Sequence, residues 1–118
     1  MTASLRIELF PADVDRSVAF YELLGFEVSG RSAGPPAYAS VRLGDVRIGL
    51  CAAAPVDPAT RALPVGTEIV IEVDGIERVR DELVGRGVVL AEDLVAREWG
   101  LSDVRVIDPD GYYLRFTN

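Results

Sequence analysis

The chain has 118 residues, of which 49% are apolar and 26% are charged, and this is the size and composition of one soluble globular domain. It contains no histidine and its 12 basic residues are all arginine, which excludes metal sites built on imidazole and Schiff-base chemistry on lysine. The net charge of −7 disfavours nucleic acid and anionic membranes as partners. The single cysteine allows no internal disulfide, and neither a bilayer-spanning apolar run nor a signal-peptide pattern is present, so we expect a cytoplasmic protein.

The first half of the chain predicts a β-α-β-β-β module over about residues 3–52. Apolar residues alternate from Leu5 to Leu9, as in a strand with one buried face. Asp13 stands at the N-cap position of a helix, and Gly25 stands where a left-handed residue closes one. The predicted elements are a strand over 5–10, a helix over 14–24, and strands over 26–31, 38–43 and 46–51.

The second half predicts the same order of elements over about 67–118, after an irregular crossover over 53–66 that is rich in proline and alanine. Glu22-Leu23-Leu24-Gly25 recurs as Glu82-Leu83-Val84-Gly85, and Ile48-Gly49-Leu50 aligns with Leu114-Arg115-Phe116. We therefore expect one domain over 1–118 that contains the module twice. The predicted elements are a strand over 68–73, a helix with an apolar stripe from Ile76 to Val84, a short strand within 88–96, and strands over 104–107 and 112–116 joined by an Asp-Pro-Asp-Gly turn.

Two stretches of the sequence carry a resemblance to a known family. D-V-D-R-S-V-A-F-Y-E-L-L-G-F-E-V, residues 13–28, resembles the first helix of the vicinal oxygen chelate superfamily, and W-G-L-S-D-V-R-V-I-D-P-D-G-Y-Y-L-R-F, residues 99–116, resembles the end of its second module. That superfamily holds glyoxalase I, extradiol dioxygenases and the bleomycin- and fosfomycin-resistance proteins. The resemblance implies an α+β fold in which two βαβββ modules form a curled mixed sheet, with helices on the convex faces and the site on the concave face.

Strand alternation predicts which residues face the helices and which face away from them. The helix-facing residues are predicted to be Ile7, Leu9, Val41, Leu43, Ile48, Leu50, Ile69, Ile71, Val104, Val106, Leu114 and Phe116. The concave face is predicted to carry Arg6, Glu8, Phe10, Tyr38, Ser40, Arg42, Arg47, Gly49, Cys51, Glu68, Glu72, Arg105, Tyr113 and Arg115. Cys51 has no histidine to activate it, and we interpret it as a small apolar filler.

The resemblance implies four metal-ligand positions, one on each of four strands. They fall on Arg6, Gly49, Glu68 and Arg115, and only the glutamate has an oxygen that can bind a cation. We therefore expect no metal and no cofactor. Because these positions converge in metal-using relatives, we expect Arg6, Glu68 and Arg115 to meet. Either they form a self-satisfied plug of ion pairs, or one arginine keeps donors free for an anionic or carbonyl group of a ligand.

Aromatic residues add a second expectation for the concave face. Tyr38 and Tyr113 are predicted to face it, and Trp99 lies on the loop before the last hairpin, where it either packs on the end of the sheet or stacks on a planar ligand. Resistance-type members use an aromatic residue in this loop for stacking, so the resemblance favours an antibiotic-like ligand.

The favoured function is therefore metal-free binding of a planar or cationic small molecule, of the bleomycin-resistance type, and the resemblance to the drug-binding members implies a homodimer. The candidate ligand-binding residues are Arg6, Tyr38, Glu68, Trp99, Tyr113 and Arg115, and no catalytic residue is predicted. The alternatives are a glyoxalase- or lyase-type enzyme and a non-catalytic interaction module with a filled cavity.

Overall fold

The structure, a computed structural model, describes residues 1–62 and 64–118. It confirms the α+β class and the two βαβββ modules, each of which is a four-stranded mixed sheet with one helix. The chain divides into one unit over Met1–Val56 and a second over Asp57–Asn118. The elements are β1 (Ile7–Leu9), α1 (Val14–Leu23), β2 (Glu27–Ser32), β3 (Tyr38–Leu43), β4 (Val46–Cys51), β5 (Ile69–Glu72), α2 (Ile76–Gly85), β6 (Glu92–Ala96), β7 (Ser102–Ile107) and β8 (Tyr113–Thr117).

Module one has the strand order β1-β4-β3-β2, with β1 parallel to β4 and the other neighbours antiparallel. Helix α1 begins at the predicted cap, because the Asp13 carboxylate accepts a hydrogen bond of 3.1 Å from the backbone N–H of Arg16. Past the helix end, Gly25 has a φ of 103°, a left-handed conformation that favours glycine. The buried residues of the helix, among them Val18 and Tyr21, form one core with the inner residues of β3 and β4.

Module two has the corresponding order β5-β8-β7-β6, again with one parallel pair, β5 and β8. Its helix α2 buries Ile76 and Leu83, and the sheet buries the predicted helix-facing residues of β5, β7 and β8. The turn between β7 and β8 is stabilised by Asp108, whose carboxylate accepts hydrogen bonds of 2.9 Å from the backbone N–H groups of Asp110 and Tyr112. Gly111 has a φ of 92° in this turn, so the position favours glycine.

The strand registers show that the two modules are equivalent residue by residue. Ile7 pairs with Ile48 in module one, and Ile69 pairs with Leu114 in module two. In the neighbouring antiparallel pairs, Gly49 of β4 therefore occupies the position that is equivalent to Arg115 of β8. The same registers also match Ser40 with Arg105 and Tyr38 with Asp103 on the adjoining strand. The alignment that the sequence suggested for the two hairpins is confirmed.

Several predicted details are wrong. Leu5 is 74% exposed because β1 begins only at Ile7, and Val84 is 43% exposed because the apolar stripe of α2 is narrower than predicted. Of the helix-facing residues, Ile7 and Leu43 are only half-buried. Neither helix of the described chain has the length and apolar character needed to span a membrane.

The predicted irregular crossover is partly ordered. Pro58–Thr60 form a short 3-10 helix, while residue 63 of the crossover lies outside the described residues. Arg61 donates a hydrogen bond of 3.1 Å to the carbonyl oxygen of Asp110, and its guanidinium lies 4.2 Å from the centre of the Tyr112 ring. A Cβ atom at Gly111 would lie 2.2 Å from the carbonyl oxygen of Pro58, so only glycine permits this contact. The crossover thus packs on the β7–β8 turn.

Candidate functional site

On the sheet face away from α1, module one carries a hydrogen bond across three strands. The Tyr38 hydroxyl on β3 donates to the Glu8 carboxylate on β1 over 3.0 Å, and Arg6 forms an ion pair with the same carboxylate at 2.8 Å. Burial and this neighbouring carboxylate raise the pKa of Tyr38 above its ordinary value. The group is therefore a neutral phenol bound to a carboxylate that an arginine already compensates.

Gly49 on β4, between the other two strands, makes this contact possible. A Cβ atom there would lie 2.1 Å from Oε2 of Glu8 and 2.2 Å from the Tyr38 hydroxyl oxygen. These distances are far below van der Waals contact, so a side chain at Gly49 has to displace one of the two groups. The missing side chain of Gly49 is what lets Glu8 and Tyr38 meet above the middle strand.

On the equivalent face of module two, the central residue is the buried carboxylate of Asp103, whose side chain is 1% exposed. Arg97 binds it through three hydrogen bonds, with Nε 3.1 Å from each carboxylate oxygen and Nη2 2.8 Å from Oδ1. The same Nη2 also donates to Glu92. The hydrogen bonds from Arg97 hold the pKa of Asp103 below its ordinary value, although burial opposes this shift.

Two further arginines lie beside Asp103 without forming hydrogen bonds to it. Arg105 and Arg115 are directly opposite each other on β7 and β8, and their nearest nitrogens lie 3.8 and 3.9 Å from the Asp103 oxygens. Arg115 forms an ion pair of 2.9 Å with Glu68. Within the described part of the chain, no carboxylate lies within hydrogen-bonding distance of Arg105, and the buried Nε atoms of both arginines donate to no acceptor.

Of the contacts predicted among Arg6, Glu68 and Arg115, the structure contains the one between Glu68 and Arg115. Arg115 contacts Glu68, while the acidic partner of Arg6 is Glu8 of its own module. The convergence of all three side chains stays a prediction. Of the three arginines around Asp103, the one without a hydrogen-bonded carboxylate among the described residues is Arg105, which was not one of the candidates and is hydrogen-bonded to the Tyr113 side chain.

The three aromatic candidates differ in exposure. Trp99 is 59% exposed and lies at the turn between β6 and β7, where the guanidinium of Arg97 is 6.0 Å from its ring centre. Tyr38 is half-buried and bound to Glu8. Tyr113 is only 6% exposed, with Arg105 5.8 Å from its ring centre, so it offers little free ring surface for stacking.

The residues at the four implied metal-ligand positions do not fit a metal ion. Arg6 and Arg115 have no lone pair to donate, Gly49 has no side chain, and the carboxylate of Glu68 is bound by Arg115. Across residues 1–62 and 64–118, histidine, cysteine, aspartate and glutamate side chains nowhere gather into a group of three that could hold an ion.

Sequence reasoning missed the central group of module two, which consists of Asp103, Arg97 and Glu92. Asp103 lies two residues before Arg105 on β7, so strand alternation alone places its side chain on the same face. Arg97 lies outside the strands, in the β6–β7 turn, and no alternation pattern indicates that it folds back onto Asp103.

The sequence profile of the Glyoxalase/Bleomycin resistance protein/Dioxygenase superfamily matches residues 4–116 of the chain. The protein therefore belongs to this superfamily, as the two sequence stretches indicated. A search of curated proteins found no significant match.

Solved structures show the same fold over the whole chain. The bleomycin resistance determinant encoded on transposon Tn5 has a TM-score of 0.81 and 23% identity, covering 99% of this chain and 98% of that one. A bleomycin-binding protein in complex with bleomycin has a TM-score of 0.74 and 23% identity, covering 100% and 98%. TioX from Micromonospora sp. ML1 has a TM-score of 0.78 and 21% identity, covering 99% and 98%.

Proposed function

We propose that the protein binds a planar or cationic small molecule without transforming it, in the manner of the bleomycin-resistance proteins. The observation that carries this proposal is the donor set at the four implied metal positions, where the one possible ligand, Glu68, is bound by Arg115. Metal-using members of the superfamily need several such ligands, so this site is better suited to holding a ligand by its own side chains.

The exposed aromatic surface supports a planar ligand. Trp99 is the single tryptophan of the chain and its ring is more than half exposed, so it is available for stacking. The bleomycin complex among the similar structures supports an antibiotic-like ligand.

Electrostatics support a cationic ligand at long range, because the net charge is −7. At short range the arginines Arg6, Arg97 and Arg115 are each paired with a carboxylate, so their charges are largely compensated. We propose that the protein works as a homodimer in the cytoplasm, and sedimentation measurements test the oligomeric state.

A second candidate function is an interaction module with a filled cavity. The observation in its favour is the burial of Tyr113, which removes one of the three proposed aromatic surfaces.

Fluorescence of Trp99 tests the proposed function. We expect bleomycin or another planar antibiotic in a broad panel to quench this emission saturably, with a matching heat of binding in calorimetry. The Trp99→Ala variant should weaken binding of the same compound in calorimetry by about twofold to tenfold, since a stacked aromatic pair contributes about 0.5–1.5 kcal/mol beyond its burial. If the whole panel produces neither quenching nor heat, small-molecule binding is wrong and the interaction module is favoured.

A further inference from the structure

The face of module two that carries Asp103 has fewer acceptors than its arginines can use. Arg97 occupies both oxygens of Asp103 and also binds Glu92. Glu68 accepts from Nη2 of Arg115. Among the described residues this leaves Arg105 hydrogen-bonded to the Tyr113 side chain but to no carboxylate, and Nη1 of Arg115 with only the 3.9 Å contact to Asp103.

The two arginines are also placed so that they repel each other. Arg105 and Arg115 are cross-strand partners on β7 and β8, and like charges in that position are destabilising. Asp103 reduces this repulsion from 3.8 and 3.9 Å, but at those distances it satisfies none of their donors. Both Nε atoms are buried without an acceptor, so the carboxylates of this face do not satisfy all the donors of the two arginines.

Both arginine side chains are nevertheless partly accessible to solvent. The side chains of Arg105 and Arg115 are 20% and 23% exposed, while their Nε atoms are buried. A carboxylate is planar and has two oxygens, and it matches the forked donors of guanidinium groups. A doubly charged phosphate fits less well, because Asp103 and Glu68 lie beside the same nitrogens.

We propose that Arg105 and Arg115 form a carboxylate-binding site, so that the ligand of this face carries a carboxylate in addition to its planar part. The inference rests on the proposed binding function and specifies the ligand that this function holds. It assigns Arg105 a role as a specificity-determining residue, in which the donors that Tyr113 does not occupy distinguish a carboxylate from a neutral or cationic group of the same shape.

Three compounds with one ring system test the proposal: 2-naphthoate, 2-naphthamide and 2-naphthylmethylammonium. Their affinities are measured by calorimetry, and nitrogen-labelled arginine side chains are followed by NMR, with the resonances assigned through Arg105→Gln and Arg115→Gln. We expect naphthoate to bind about tenfold or more tightly than naphthamide, as hydrogen bonds to a charged group allow, and to shift the Arg105 and Arg115 signals. Arg105→Gln should reduce the affinity for naphthoate to that for naphthamide.

Arg78→Gln is the matched control, because it removes the same charge from a side chain of α2 that is 75% exposed and should leave the preference for naphthoate unchanged. If Arg105→Gln does not fold, the titration of the wild-type protein still decides, because the three affinities do not depend on a variant. Equal affinities of naphthoate and naphthamide would overturn the carboxylate site but leave planar-ligand binding intact. Tightest binding of the ammonium compound would overturn it in favour of the cationic ligand. Absence of binding by all three compounds would also overturn the carboxylate site. The Trp99 fluorescence measurements with planar antibiotics would then test the binding function separately.

Discussion

The two modules have the same strand order and register, but they carry different side chains on the face away from their helices. Where module two has Asp103, Arg105 and Arg115, module one has Tyr38, Ser40 and Gly49 at the equivalent positions. In module one the middle strand has no side chain at this point, and groups from the flanking strands meet over it. In module two the middle strand supplies an arginine. The difference teaches that the register fixes where a side chain points, while the residue on the middle strand decides whether side chains of the flanking strands can meet over it.

The two arrangements also differ in how much stability the protein loses when each is disrupted. A phenol bound to a compensated carboxylate loses about one hydrogen bond when it is disrupted. A buried carboxylate beside three arginines is different, because its removal leaves several positive charges in a poorly solvated place. Stability should therefore depend more on the central residue of module two than on that of module one.

The largest expected effect is that of Asp103→Asn. It keeps the shape of the side chain and removes the charge that Arg97 binds, so we expect a loss of about 3–5 kcal/mol in the free energy of unfolding, measured in urea. Asp93→Asn is the control. Asp93 forms an exposed ion pair with Arg80 at 2.7 Å, and its removal should cost about 0.2–1 kcal/mol. Equal losses in the two variants would contradict a special role for the buried group.

An intermediate effect is expected from Gly49→Ala. The new methyl group has to displace Glu8 or Tyr38, so we expect a loss of about 1–2 kcal/mol and a Tyr38 pKa closer to its ordinary value, followed by ultraviolet titration. The double variant Glu8→Ala with Gly49→Ala removes part of the clash, and it should lose less stability than the sum of the two single variants. Strict additivity of the two changes would show that the groups do not meet over Gly49.

The smallest expected effect is a pH dependence of the stability that differs between the two modules. The folded-state pKa of Asp103 is lowered, so its contribution is present above the unfolded pKa of about 3.9 and is lost as the pH falls through the folded value. The pKa of Tyr38 is raised, so its contribution is present below about 10 and is lost as the pH rises through the folded value. Asp103→Asn should flatten the acid side of the stability curve, and Tyr38→Phe, at a cost of about 1 kcal/mol, should flatten the alkaline side. Flattening of the same side by both variants would contradict this assignment.

Periodicity and glycine positions were enough to predict the modules. Leu114 and Phe116 are buried, Arg115 lies on the other face, and Gly25 closes α1, all as strand and helix periods require. These features depend on local geometry and on the burial of apolar side chains, which a sequence pattern shows directly.

The partners of the charged residues were not predictable in the same way. Arg115 was correctly placed on a strand and Arg6 lies one residue before β1, but the choice of Glu8 or Glu68 as partner depends on side-chain rotamers and on which carboxylates are already bound. Arg97 reaches Asp103 from a turn, and the bend of that turn follows from the β6–β7 register rather than from any periodicity. The partners of these long, flexible side chains are thus the part of the candidate site that the sequence pattern does not predict.

The contact of the crossover with the β7–β8 turn shows where the second repeat begins in the structure. Pro58 and Arg61 look like connecting sequence, yet they pack on Gly111 and Tyr112 and so belong structurally to the second copy. The boundary between the two units, which is the seam of the repeat, lies between Val56 and Asp57, ahead of the point where the sequence repeat becomes recognisable. A circular permutant opened at that seam keeps the second copy whole, whereas one opened at 66–67 separates the turn from the residues that pack on it.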